Sequence, residues 1–226
     1  AFSGCSGLTS LTLPAGITTI GDYAFGGCSG LTSLNLPAGI TKIGDGAFLN
    51  CSGLTSLTLP AGITKIGIYA LEGCSGLTSL TLPAGITKIG HAAFKGCSGL
   101  TSLTLPAGIA TIGDYVFEGC SGLTSIYVYA EKVPESNMYV IVGFDAKKCT
   151  LYVPIGTRHD YRLSMFGHYF ENIVEFEATG IDKTTISTDV EEVARYSVNG
   201  QRLSAPTKGL NIVKYSDGSV KKVAVR

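Results

Sequence analysis

The stretch CSGLTSLTLPAGITKIGIYALEG, residues 51–73, is followed by Cys74 and almost the same phrase again. Self-similarity at a period of roughly 20 to 50 residues marks a solenoid, propeller or array, so this repetition decides the fold. Within the phrase Leu54, Leu57 and Leu59 are apolar, and the alternation from Ser56 to Leu59 is that of a strand with one buried face, which leaves Ser56 and Thr58 outward. Pro60, Ala61 and Gly62 turn the chain, Ile63 and Ile66 supply a second apolar edge, and Gly67 ends it. A short return segment such as DYAF then places Phe25, Phe48, Leu71, Phe94 or Phe117 in the wedge before the next cysteine. No turn can bury these side chains alone, whereas stacking covers both edges of each turn. The expected fold is a repeat solenoid, a right-handed stack of short parallel strands with a C-terminal cap. Five regular turns and two irregular ones, at roughly 4.8 Å per strand, give a body on the order of 35 Å long.

The seven cysteines stand at 5, 28, 51, 74, 97, 120 and 149. The intervals are 23 residues except the last, which is 29, so they express the period and not a disulfide framework. A stacked row of small buried thiols follows, because zinc needs ligands converging from several directions and a row offers them along one line. The reading is no metal and no cofactor. Lys plus Arg and Asp plus Glu each total 17, so no electrostatic footprint for nucleic acid exists. Apolar runs are short and fall well below the roughly 20 residues of a transmembrane segment. The first residues, AFSGCSG, are the end of one repeat and the start of the next. The expectation is a trimmed or processed chain that has lost a leader and earlier repeats.

The phrase LxxLxLPxxIxxIGxxAFxGC resembles the BspA-like bacterial surface leucine-rich repeats, over residues 1 to about 176. The resemblance implies a leucine-rich-repeat-like solenoid on an exported protein of the cell surface or extracellular space. It also implies adhesion to matrix or plasma glycoproteins of a host, or to other bacterial surface components. Gly62 stands where the general leucine-rich consensus has its asparagine ladder, so the usual horseshoe curvature is not expected. After Cys120 the period lapses in SGLTSIYVYAEKVPESNMYVIVGFDAKK, and CTLYVP at 149–154 echoes the strand once more before a more helical, amphipathic ending. Residues 120–176 therefore read as irregular repeats and a cap, closed by a VPxGxxxxY motif similar to the one that ends BspA-like arrays.

Residues 177–193 read as a linker. In 194–226 the turn signals Asn199-Gly200 and Asp217-Gly218 each lie between alternating apolar strands, which gives a small β-hairpin domain. This tail resembles the sorting domain of type IX secretion cargo at Tyr196, Gly200, Leu203, Lys208, Gly209, Val213 and Arg226, with Asn211 where an aromatic is usual.

Catalytic chemistry finds little support, and the chain reads as no enzyme. His91 occupies a position that is Asp in three sister repeats. His159 beside Asp160 suggests a base with an orienting carboxylate, against a solvated helix start as the plainer reading. Cys149 follows Lys147 and Lys148 and is the one thiol placed for a lowered pKa, although a core position fits it better. The candidate binding features are two surfaces. One is the hydroxyl ladder represented by Ser56, Thr58, Ser79 and Thr81, with Tyr127 and Tyr129 of the divergent cap stretch as further candidates. The other is a row of like charges, Lys42, Lys65 and Lys88, which costs stability unless anions or a partner neutralise it. Diversity among the repeats, at Asp22, Asp45, Ile68, His91 and Asp114 and across 127–142, points to loops and cap for selectivity. The expected function is an interaction module, an adhesin using many weak contacts on one face. A structural stalk is the alternative, and ice or lattice binding by Ser-x-Thr pairs is a remote third.

Overall fold

A strand of three to five residues is what one turn offers to the main sheet, and the chain joins these strands across turns. The computed structural model describes residues 1–178, together with the backbone of strands at Glu192–Ser197, Arg202–Leu203, Gly209–Tyr215 and Val220–Val225. One seven-stranded sheet takes a strand from each successive turn: β1 Ser33–Asn35, β2 Ser56–Thr58, β3 Ser79–Thr81, β4 Ser102–Leu105, β5 Ser125–Val128, β6 Thr150–Pro154 and β7 Asn172–Phe176. All neighbours are parallel and in sequence order, and the register pairs like with like, Leu57 with Leu80 and Thr58 with Thr81. The first turn joins through an isolated bridge from Thr12 to Asn35. The solenoid of about seven turns expected from the period is the observed fold.

The second apolar edge forms two-residue strands in separate sheets. Thr19–Ile20 pairs with Lys42–Ile43, and Lys65–Ile66, Lys88–Ile89 and Thr111–Ile112 pair in turn. Leucines and isoleucines of both edges face one core with Phe48, Leu71, Phe94 and Phe117, all fully buried. Phe2, Phe25 and Phe48 stack with centroids 5.5 Å apart.

The cysteines supply a ladder of their own. Cys51, Cys74, Cys97 and Cys120 each donate Sγ–H to the carbonyl 26 residues earlier, at 3.0 to 3.2 Å. Outside the core, Thr55 and Thr78 donate their hydroxyls to the carbonyl 23 residues back. Thiols and threonines thus do what an asparagine ladder would do at this repeat. The row has one departure from expectation: Cys5 is exposed while the other six are buried.

The ending is less helical than the sequence suggested. Helix α1 covers only Arg158–Leu163. Gly167 packs against the Tyr161 carbonyl so closely that a Cβ there would collide with it, and the β-branched Ile173 and Val174 then form β7. Tyr161 is buried and donates its hydroxyl to the Ala130 carbonyl at 2.7 Å. Glu175 accepts from the backbone N–H of Gly156 and of Arg158, which fixes the start of α1. The VPxGxxxxY motif is therefore a latch between irregular turns.

The chain divides into two compact units, Ala1–Ala178 and Thr179–Arg226. In the second, β8 Glu192–Ser197 pairs antiparallel with β9 Arg202–Leu203 and with β10 Gly209–Tyr215, which pairs with β11 Val220–Val225. Tyr196, Leu203, Gly209 and Val213 lie on these strands. Gly200, Lys208, Arg226, both turn signals and 179–191 of the linker lie outside the described residues.

Candidate functional site

Alternation along each strand sends every second side chain away from the core. In the seven-stranded sheet the outward positions are Ser and Asn or Thr in β1 to β4, then Ser125 with Tyr127, Thr150 with Tyr152, and Asn172 with Val174 and Phe176. The predicted residues Ser56, Thr58, Ser79 and Thr81 are all exposed on this face, with Thr58, Thr81 and Thr104 directly paired across strands. Tyr127 continues that row, opposite Thr104 on one side and Tyr152 on the other.

Here the structure adds two residues that sequence reasoning missed. Tyr127 and Tyr152 stack with centroids 4.3 Å apart and planes 8° from parallel. Phe176 sets its ring edge-on to Tyr127 at 6.0 Å and to Tyr129 at 5.0 Å. Burial, and then the neighbouring Tyr152, push the Tyr127 phenol above its ordinary value. The echo CTLYVP carried the signal for Tyr152, since it puts that residue at the strand position held by Thr58 and Thr104. Phe176 pairs in register with Pro154, the proline position of the phrase, where no regular repeat has an aromatic, and it left no such signal.

The Lys row lies elsewhere, on the short edge strands. Lys42, Lys65 and Lys88 are exposed, and none joins an ion pair among the described residues. Lys65 pairs in register with Lys88, whereas Lys42 pairs with Thr19 in a separate sheet, so the row is interrupted. The structure does not bring it onto the hydroxyl face.

The return segments hold an aromatic row that periodicity alone did not reveal. Tyr69 meets His91 edge-on at 5.2 Å, His91 meets Tyr115 at 5.4 Å, and Tyr115 stacks on Tyr139 at 5.7 Å. Tyr69 and Tyr115 take left-handed backbone, with φ of 57° and 58°, a region that disfavours side chains with a Cβ. Beyond Tyr139 the cap has a depression of about 300 Å³ lined by Met138, Ile141, Val142, Phe144 and Tyr169. The charges at its rim are engaged, Lys147 with Glu171 and Asp145 with Lys148.

A BspA-type leucine-rich repeat region in six copies matches residues 1–135. The chain belongs to the BspA-type leucine-rich repeat family. Among solved structures it is similar to a leucine-rich cell surface protein from Faecalibacterium prausnitzii, with 32% identity over 53% of this chain and 32% of that one, at a TM-score of 0.51. A leucine-rich repeat protein from Bacteroides ovatus shares 25% identity over 65% of this chain and 48% of its own, at 0.53. The chain thus spans about a third and about half of these two structures. A leucine-rich repeat protein of T. pallidum, 23% identical over 74% of this chain and 86% of that one, shares the fold at 0.58. No curated protein matches the chain.

The residues weighed for catalysis in this BspA-type chain sit apart. His159 and Asp160 are exposed in α1. Cys149 is buried, and burial pushes its thiol up to about 12, away from the reactive thiolate. His91 packs between two tyrosines, so its replaceability among the repeats goes with a place in the aromatic row. Among the described residues no cluster of His, Cys, Asp and Glu could hold a metal ion, and no helix is long and apolar enough to cross a membrane.

Proposed function

We propose that this protein is a non-enzymatic interaction module of the bacterial surface, exported and acting as an adhesin. Its contact surface is the outward face of the seven-stranded sheet. The observation that carries the reading is the continuity of that face: exposed Ser, Thr and Asn in register over successive strands, ending in the Tyr127, Tyr129, Tyr152 and Phe176 cluster. Small hydroxyls satisfy exposed strands, but large aromatics held half-buried on the same face supply what contact surfaces use as anchors. Membership in the BspA-type family supports the reading, and so does the likeness to a structure described as a cell surface protein. The sorting-like residues Tyr196, Gly200, Leu203, Lys208, Gly209 and Val213 would serve export.

Surface plasmon resonance of the full chain against immobilised fibronectin and fibrinogen, at low and physiological salt, tests it. Saturable binding that falls when Thr58→Lys and Thr81→Lys charge the face supports the module. Weakening on Lys42→Ser, Lys65→Ser and Lys88→Ser would add the basic row as a second contact. Flat traces at micromolar protein would favour the stalk, a rigid spacer whose repeats provide length alone.

A further inference from the structure

The sheet face carries no charge. The residues that alternation turns outward in its seven strands are Ser, Thr, Asn, Tyr, Val, Pro or Phe; the exposed Glu175 of β7 lies at an alternate position and is engaged by the backbone N–H groups of Gly156 and Arg158, while the Lys row stands on the short edge strands. Charge complementarity on such a face selects a neutral partner, because a sulfated or phosphorylated polymer would lose its solvation and find no counter-charge. The hydroxyls are both donors and acceptors, as sugar hydroxyls are. They recur at each strand, a spacing of roughly 4.8 Å that is close to the advance of one ring in an extended β-linked sugar chain. A surface that repeats by translation suits a ligand that does the same, and a folded protein surface does not. At one end the Tyr127 and Tyr152 stack and the edge-on Phe176 supply an aromatic platform, whose electron-rich faces and rims receive the C–H faces of sugar rings.

Resting on the reading of this face as the contact surface, we propose that its ligand is a neutral polysaccharide chain lying across the strands. The sugar chain crosses β2 to β4 through hydroxyl contacts and is anchored at Tyr127, Tyr129, Tyr152 and Phe176. The glycan, not the polypeptide, is then what the module recognises on its partner.

Native affinity electrophoresis of the full chain tests this in gels that contain barley β-glucan, xyloglucan, galactomannan or soluble starch. Gels with heparin or polygalacturonate serve as charged controls. The expected result is retardation in at least one neutral gel and in neither charged gel. The double variant Tyr127→Thr with Tyr152→Thr should weaken it about tenfold, the scale of losing one aromatic anchor. Both substitutions install the residue that Thr104 already has in the same row, so circular dichroism should stay unchanged, with a Tm lowered only by the lost ring stacking. Thr81→Lys, which puts a charge mid-face, should weaken it through a different residue. Absence of retardation in all four neutral gels overturns the proposal, as does retardation that neither variant changes. If the glycan gels are negative while fibronectin or fibrinogen still binds through this face, the polysaccharide falls and the interaction module stands. If neither binds, both fall.

Discussion

The regular turns up to Gly119 and the irregular turns of 120–176 build one sheet by two different means. In the regular part the buried thiols and one row of threonines find their partners a fixed distance back, 26 residues for the thiols and 23 for the threonines. Cys120 and Thr124 still make these periodic bonds at the start of the irregular part, but beyond them the bonds are unique: Tyr161 to Ala130, Glu175 to the backbone of Gly156 and Arg158, Ser164 to Tyr161 and Gly167. The register of strands continues unbroken across the change, from Thr104 to Tyr127 to Tyr152. Repetition therefore stabilises the face, and lapse of repetition gives it chemistry. A chain of identical turns could have length but no anchor.

The widest gap between the two parts should open at alkaline pH. Burial raises the thiols of Cys51, Cys120 and Cys149 to about 12, and those of Cys74 and Cys97 further. Folded thiols stay protonated where unfolded ones, with values near 8.5, ionise. Below about pH 8.5 both states hold the proton and stability does not depend on it. Above that the unfolded state binds fewer protons, so stability falls as pH rises, by about 2 kcal/mol per thiol at pH 10. Four of these five cysteines belong to turns that begin with the regular CSG phrase. Urea melts from pH 7 to 10.5 should show a steep loss, and Cys74→Ser with Cys97→Ser should flatten it. An alkaline limb unchanged in that variant would mean the row does not control stability.

Next in size is the wedge. Phe94→Ala empties a fully buried site and should cost about 3 to 5 kcal/mol, lowering Tm by about 10 °C. Phe94→Leu should cost far less, since Leu71 already occupies the same place two strands' width from Phe117 with its neighbours packed. Equal losses for the two variants would show that the regular turns do not share one core geometry. In the irregular part Tyr161→Phe keeps the ring and removes the latch to Ala130, which leaves a buried carbonyl without its donor. The expected cost is about 1 to 2 kcal/mol by thermal melt. A neutral result would mean that shape, and not the hydrogen bond, closes the array.

How much of this was legible depended on whether a residue repeats. The solenoid, the inward leucines and the outward Ser56 and Thr58 follow from one phrase read five times. Tyr127 was legible as part of the divergent stretch 127–142, whereas its place in the threonine row came from the strand register. The Tyr152 stack needed the register of a strand that the 29-residue interval had displaced, and Phe176 needed a strand where the composition suggested helix. The row of Tyr69, His91, Tyr115 and Tyr139 escaped because its members come from unequal repeat positions, with His91 one residue earlier in its turn than the tyrosines beside it. Tyr69 and Tyr115 also take left-handed φ, which no propensity assigns to tyrosine.

The smallest effect tests whether a repeated charge is tolerated or used. Lys65 and Lys88 face each other across parallel strands, both exposed and neither in an ion pair among the described residues. Like charges in register repel, so Lys65→Ser should raise Tm by about one degree at low salt. The gain should vanish near 1 M salt, where the screening length shrinks to about 3 Å. A loss of stability at every salt concentration would have another meaning. It would show that the aliphatic stems of the lysines shield the isoleucine edge, as long charged side chains do over apolar surface. The Lys row would then be part of the packing that repetition provides, leaving the uncharged sheet face as the surface free for a partner.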